Sequence, residues 1–108
     1  MSSRHYYYIL SADGQPIPAP TMRWAMWLET ADRTVARTEI GEAEVSTVFL
    51  SLDHNFSGKG APVLYETLVF GGQLDGEMTR YTTHEEALAG HSCMVARVKE
   101  AEQKGDDK

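Results

Sequence analysis

The stretch EVSTVFL (44–50) decides the fold, because it is the most strand-like run in the chain. β-branched and aromatic residues dominate it, and these residue types favour the pleated, half-buried surface of a sheet. Alternate side chains of a strand point to opposite faces, and here both faces carry apolar groups: Val45, Thr47 and Phe49 on one, and Ser46, Val48 and Leu50 on the other. Such a strand is typical of the centre of a sheet, so we predict a central strand here.

Sequences on both sides of this strand predict its neighbours. The segment 33–40 precedes a turn at Gly41, and VLYETLVF (63–70) and EMTRYTT (77–83) follow after glycine-containing loops. The aromatic run RHYYYIL (4–10) predicts one more strand. The proline-rich stretch after it is predicted as a turn and an extended connection, with or without a short edge strand, because proline lacks the N–H that a ladder needs. Short connections favour antiparallel pairing.

Two segments have the apolar periodicity of a helix. The first is 21–32, with Thr21 as its expected cap, and we expect its tryptophans to pack into the core. Its apolar stripe consists of Trp24, Trp27, Leu28 and Ala31. The second, 83–102, opens with Thr83 and Glu86, the S/T-x-x-E capping box that satisfies two free backbone N–H groups. Its stripe consists of Ala87, Leu88, His91, Met94, Val95 and Val98.

Together these elements predict an α+β fold in the order β-α-β-β-β-β-α. The sheet is expected to be antiparallel with about five strands, and both helices are expected to pack on one of its faces. A length of 108 residues fits a single domain, which we place at 1–102. The charged end, 103–108, contains a glycine that favours a helix end, and it is predicted as a flexible tail.

Composition is typical of a globular protein without a nucleic-acid interface. Asp and Glu number 16 against 10 Lys and Arg, and the net charge of −6 opposes binding to a phosphate backbone. The same charge is compatible with a basic partner protein, and an acidic surface of this chain would compete with nucleic acid for such a partner. The single cysteine cannot form an internal disulfide, and no segment approaches the ~18 apolar residues of a membrane span. We therefore expect a cytoplasmic protein without membrane contact and, since no nucleotide-binding motif is present, without a cofactor.

Chemically capable side chains cluster where the central strand ends, in SLDHNF (51–56). A histidine beside a carboxylate can act as a general base, so Asp53 and His54 are candidate catalytic residues. Asn55 and Phe56 extend these two into a candidate binding surface. Asp and Asn are also favoured in turns, where their side chains bond nearby backbone N–H groups. On this second interpretation the segment is a structural turn, with Phe56 packed back onto the core.

Two further residues, Glu66 and His91, are candidates for the same site. Glu66 alternates with apolar residues, so its carboxylate needs a partner, either His54 or, as a cross-strand ion pair, Arg80. His91 lies in the apolar stripe of the last helix, where we expect a core histidine bonded to a backbone carbonyl. The alternative is a metal site made by His54, Glu66 and His91. On the last helix, His84 and His91 are seven residues apart and not at the i, i+4 spacing of helical zinc ligands, and no metal site is predicted.

The segments VSTVFLSLDHNF, PVLYETLVFGG and RYTTHEEALAGH together resemble a family of small bacteriophage and prophage proteins. The resemblance covers residues 44–91, with a weaker echo in ILSADGQPIP and in the helix that contains Trp24 and Trp27. That family has no established activity, so the resemblance transfers no catalytic residues. It implies a bacterial or phage cytoplasmic origin and the role of a small accessory factor.

Two hypotheses for the function come from different classes. The first, which we favour because no catalytic motif is present, is a small acidic accessory protein that binds a host bacterial protein. It would modulate or inhibit that protein, with a nucleic-acid-processing or defence complex as the candidate target, and would itself be a monomer or homodimer. Its candidate surfaces are acidic clusters at Glu39, Glu42 and Glu44, at Glu85 and Glu86, and at Glu100 and Glu102. The alternative is a small hydrolase or metal-dependent enzyme centred on His54.

Overall fold

The structure is a computed structural model, and it describes residues 4–106. Two helices and two antiparallel sheets give an α+β fold, which confirms the predicted class. The elements in chain order are β1 (Tyr8–Leu10), β2 (Pro16–Pro18), α1 (Thr21–Leu28), β3 (Thr34–Ile40), β4 (Ala43–Phe49), β5 (Tyr65–Phe70), β6 (Met78–Tyr81) and α2 (His84–Asp106).

The larger sheet has four strands in the order β3-β4-β5-β6, all antiparallel. The strand predicted to be central, β4, lies between β3 and β5, which confirms the prediction. Its inward face is buried because β5 continues the same row of side chains and α2 covers both strands. The facing pairs are Val45 with Val69, Thr47 with Thr67, and Phe49 with Tyr65.

The predicted five-stranded sheet is split, because β1 and β2 form a separate two-stranded sheet. Pro16 and Pro18 have no N–H, so β2 cannot extend a ladder on its free side. On the other side, the N-terminal segment meets the larger sheet at an isolated bridge between Tyr7 and Leu52. The backbone of Ser51 has a φ of 66°, in the left-handed region, so the chain turns out of the β4 ladder at this point.

The prediction that both helices pack on one face of a single sheet holds for α2 only, because α1 packs against β1 of the small sheet and reaches the larger sheet through the Trp27 side chain. Trp27 of α1 contacts Phe49 edge-on at 5.9 Å between ring centroids, and Ala87 of α2 packs into the same cluster. The second part of the core joins Met94 and Val98 of α2 to the sheet residues Ala43, Val45 and Val69. No helix within residues 4–106 packs on the opposite face, which we call the uncovered face. It is formed by half-buried side chains such as those of Val48 and Leu68, and by exposed ones such as Phe70 and Met78.

The start of α2 confirms the predicted capping box. The Glu86 N–H donates to Thr83 Oγ1 at 3.1 Å, and the Thr83 N–H donates to Glu86 Oε1 at 3.2 Å. The helix continues through Asp106, beyond the expected end at Glu102. The rest of the predicted tail, 107–108, lies outside the described residues.

The first helix is shorter and more exposed than predicted. It ends at Leu28, and Pro20 occupies the cap position with no side-chain cap bond, so the prediction that Thr21 caps it is wrong. None of its residues is fully buried. Trp24 donates its indole N–H to the Ser51 carbonyl at 3.1 Å, while Trp27 packs on the core as described above. The two half-buried indoles therefore attach the helix to the rest of the fold.

Candidate functional site

Asp53 is the buried anchor of the loop that follows β4. Its Oδ2 accepts a hydrogen bond from Arg4 Nε at 2.6 Å, and its Oδ1 accepts from the backbone N–H groups of Asn55 at 2.8 Å and Val63 at 3.0 Å. Burial by itself would raise the pKa of Asp53, but the Arg4 guanidinium and the two N–H groups outweigh it and lower that pKa. The lowered pKa favours the ionised carboxylate, and its three hydrogen bonds hold both ends of the loop.

Asn55 locks the interior of the same loop. Its Nδ2 donates to the carbonyls of Lys59 at 2.7 Å and Ala61 at 2.9 Å. Its Oδ1 accepts from both the N–H and the hydroxyl of Ser57, at 3.2 Å and 2.6 Å. Arg4 adds a bond from its second nitrogen to the Gly60 carbonyl at 3.0 Å. The loop 53–63, which we call the anchor loop, therefore carries its own internal hydrogen-bond network.

His54 has one nitrogen engaged and one without a bond to the described residues. Nδ1 lies 2.9 Å from the Leu52 carbonyl, and because a carbonyl can only accept, Nδ1 carries the proton. When the ring is neutral, Nε2 therefore keeps its lone pair. The backbone N–H of His54 donates to the Val63 carbonyl at 2.9 Å, which also fixes the ring's position. This tautomer could accept a proton at Nε2, but Asp53 is engaged with Arg4 and does not orient the ring.

Phe56 projects into solvent from the tip of the anchor loop. Its exposed fraction is 76%, and its ring lies 5.7 Å from that of His54 between centroids. The prediction that it packs back onto the core is wrong. The turns formed by Asp53 and Asn55 direct the chain outward, and Phe49 and Tyr65 already fill the neighbouring core. The structure thus holds an exposed aromatic side chain on a well-bonded support.

The residues considered for a shared metal site are not brought together. Glu66 lies on the uncovered face, where Arg80 Nε donates to its Oε2 at 3.0 Å, as the cross-strand hypothesis predicted. His91 belongs to α2 and faces the opposite, covered face of the sheet, where it bonds Thr47. His54 belongs to the anchor loop, beyond the end of β4. Within residues 4–106, no group of three His, Cys, Asp or Glu side chains is positioned to hold a metal ion.

His91 is a core residue, but its partners are hydroxyls and not the expected backbone carbonyl. Nδ1 is hydrogen-bonded with Thr47 Oγ1 at 2.7 Å, and Nε2 with Thr38 Oγ1 at 2.9 Å. Thr47 continues to Thr67 at 2.5 Å, and Thr67 accepts from the Tyr81 hydroxyl at 3.1 Å. Burial lowers the pKa of His91, which favours the neutral ring. The sequence signal for this network was a threonine on the apolar face of both β4 and β5.

The acidic candidates are largely engaged within the chain. Glu44 forms an ion pair with Arg37, which also bonds Glu39 at 3.3 Å. Glu42 is exposed in the turn between β3 and β4. In the remaining clusters, Glu86 caps α2 and Glu100 forms an ion pair with Lys104. Glu102 accepts a hydrogen bond from the Gln73 N–H. Glu39 and Glu100 remain exposed although each is paired with a basic residue of the chain.

An apolar groove between the small sheet and α1 was missed at the level of sequence. Its volume is about 680 Å³. Met22, Arg23, Met26 and Trp27 form its helical wall, and Ile9, Leu10, Ser11, Ala12 and Pro20 form the rest. Helical periodicity could have indicated this groove. On a helical projection these four α1 residues lie on one flank, and Trp27 forms the border between that flank and the stripe with Trp24 and Leu28. Met22 and Met26 are 73% and 65% exposed.

Comparison with known proteins identifies no relative. No protein-family model matches the chain, and no curated protein or solved structure matches it. Neither helix of the described segment, residues 4–106, combines the length and apolarity needed to cross a membrane.

Proposed function

We propose that this chain is a small acidic accessory protein that acts by binding a partner protein through the anchor loop. One observation carries the proposal: Phe56 is 76% exposed at the tip of a loop that is fastened from within and from Arg4. Burial of an exposed phenyl ring by a partner contributes about 1.5–3 kcal/mol to the free energy of binding. Aromatic side chains of this kind are frequent anchors of protein interfaces.

The internal bonds of the loop support a binding role because they reduce the cost of association. Binding to a flexible loop loses affinity through the ordering of its backbone and side chains. Here Asp53 and Asn55 already hold the backbone, and His54 lies beside the Phe56 ring. The loop would therefore present its aromatic group in one arrangement before a partner arrives.

The surface chemistry of the partner is inferred from the net charge of this chain, and its host origin from the sequence resemblance to phage proteins. With a net charge of −6, the chain would meet a neutral or basic protein surface more readily than an acidic one. Glu42, exposed in the turn after β3, and the partly exposed Glu44 are available to contribute. A host bacterial protein of a nucleic-acid-processing or defence complex, met in the cytoplasm and modulated or inhibited there, fits both features.

The enzyme alternative centred on His54 has less support. The lone pair on Nε2 is the one feature that favours it. The carboxylates considered as helpers are engaged elsewhere, Asp53 with Arg4 and Glu66 with Arg80. His54 is therefore oriented by the Leu52 carbonyl alone and has no carboxylate to stabilise its protonated form.

The test uses tagged protein retained on beads with bacterial lysate, followed by mass spectrometry of the bound proteins. Phe56→Ser should lose a partner that the wild type retains, with affinity reduced about thirtyfold if the ring is an interface anchor. Met78→Ser is the matched control, because Met78 is also apolar and exposed but lies outside the anchor loop, on the uncovered face of the sheet. Equal recovery with Phe56→Ser, or loss with Met78→Ser instead, would contradict the proposal.

A further inference from the structure

We infer that the groove beside α1 is a binding site for an amphipathic anion, a molecule with an apolar chain and one carboxylate. This site is separate from the anchor loop and does not depend on the proposed function. The groove is open to solvent, and its volume of about 680 Å³ is comparable with the roughly 300–1,000 Å³ of small-molecule sites. The lining is apolar except for Ser11 and Arg23, so an apolar chain fits the groove and a single charged group fits its helical wall.

Arg23 supplies the charge. Arginine residues in this acidic chain are generally engaged: Arg4, Arg37, Arg80 and Arg97 each hold a carboxylate. Arg23 makes no ion pair or side-chain hydrogen bond with any residue among 4–106. A guanidinium can bond both oxygens of a carboxylate, and such charge-assisted bonds are stronger than neutral ones.

Negative charge is concentrated away from this end of the molecule. Residues 1–33 contain three Lys or Arg and three Asp or Glu, so they are neutral overall. The other seven basic and thirteen acidic residues lie at 34–108 and account for the whole net charge of −6. Repulsion of an anion is therefore weaker at the segment that forms the groove than along the rest of the chain.

Side chains of the lining offer both kinds of contact that such a ligand needs. Leu10, Met26 and Trp27 provide apolar contact along the groove, and Arg23 provides the charge.

The two tryptophans provide a built-in test, because Trp27 lines the groove and Trp24 does not. Trp24 also has its indole N–H bonded to Ser51, so its NMR signal serves as an internal control. Sodium decanoate, below its micelle concentration, is the probe, and decyltrimethylammonium is the cation of equal chain length. We expect decanoate to shift the Trp27 indole signal saturably and the Trp24 signal little, and the cation to bind about tenfold more weakly.

Two arginine variants complete the experiment. Arg23→Gln should weaken decanoate binding about tenfold, the loss expected for one charge-assisted contact. Arg33→Gln, a second exposed arginine outside the groove lining, should leave it within about twofold. Several results would overturn the inference: no saturable shift with decanoate, equal binding of the cation, or an unchanged affinity in Arg23→Gln. Shifts of Trp27 that depend on protein concentration without decanoate would overturn it too, and would identify a second copy of the chain as the occupant.

Discussion

The two helices carry similar apolar stripes, yet only α2 is built into the core. Ala87, Met94 and Val98 of α2 are 0–3% exposed against the four-stranded sheet. In α1 no residue is buried to that degree, and the helix reaches the larger sheet mainly through the indoles of Trp24 and Trp27. Two helices with similar apolar periodicity are therefore buried to different extents.

The difference lies in the surface that each helix faces. The larger sheet offers α2 a wide row of inward side chains from all four strands. The small sheet consists of two three-residue strands and covers only part of α1. The exposed flank of α1, with Met22, Met26 and Arg23, lines the apolar groove. A helix that lacks an adequate partner surface leaves part of its apolar area available for binding.

A pair of methionine substitutions tests this comparison most strongly. Met94→Ala in α2 should destabilise the protein by about 2–5 kcal/mol, because it removes a buried side chain and leaves a cavity. Met26→Ala in α1 should change the free energy of unfolding by less than about 0.5 kcal/mol, because that side chain is exposed. Urea denaturation of both variants gives the two values. Similar losses would show that α1 is packed as firmly as α2.

Removal of the Asp53 carboxylate should separate the two regions. Asp53→Ala leaves Arg4 and two backbone N–H groups without their acceptor, and we expect a loss of about 3 kcal/mol. Because this contact ties the N-terminal segment to the anchor loop, amide hydrogen exchange should accelerate in β1 and α1 more than in α2. Asp13→Ala is the control: Asp13 is exposed, and its replacement should leave the free energy of unfolding much less changed than Asp53→Ala does. Uniform acceleration across both helices would argue against separate stability of the two regions.

The smallest effect, which concerns α2 alone, is a dependence on pH through His91. Burial lowers the folded-state pKa of His91 below its value of 6.5 in the unfolded chain. Its contribution to stability is therefore complete above pH 6.5 and is lost as the pH falls below that value toward the folded-state pKa. The slope for one proton cannot exceed about 1.4 kcal/mol per pH unit.

Denaturation at pH 7.5 and pH 5.5 measures this slope, and His91→Gln provides the comparison. The wild type should lose more stability between the two values than His91→Gln, and hydrogen exchange should show the change in α2 and not in α1. An identical loss in both proteins would mean that another group causes the pH dependence.

Local signals in the sequence predicted the parts of the fold that depend on near neighbours. The position of β4 follows from alternation within seven residues, and the α2 cap follows from Thr83 and Glu86, three positions apart. The Glu66–Arg80 pair could be anticipated because both residues belong to adjacent strands with a short connection. In each case the physical cause lies within one element or one hairpin.

The loop that contains the candidate site was predicted in location but not in arrangement. SLDHNF was recognised as a loop with turn-forming residues, and Asp53 and Asn55 do form those turns. The partner of Asp53 is Arg4, which is 49 residues away, and no local pattern indicates it. The exposure of Phe56 follows from that anchoring and from a neighbouring core already filled by other aromatic rings.

The sequence by itself determined which segments are strands and helices, which face of each is apolar, and that the chain is acidic. The tertiary structure decided which apolar faces found a partner: α2 met a four-stranded sheet, while α1 met a small sheet ended by prolines. It also gave His91 its threonine partners from two strands of the sheet. The physical reason is that alternation and helical periodicity are properties of one segment, whereas burial and hydrogen-bond partners depend on which distant segments the fold brings together.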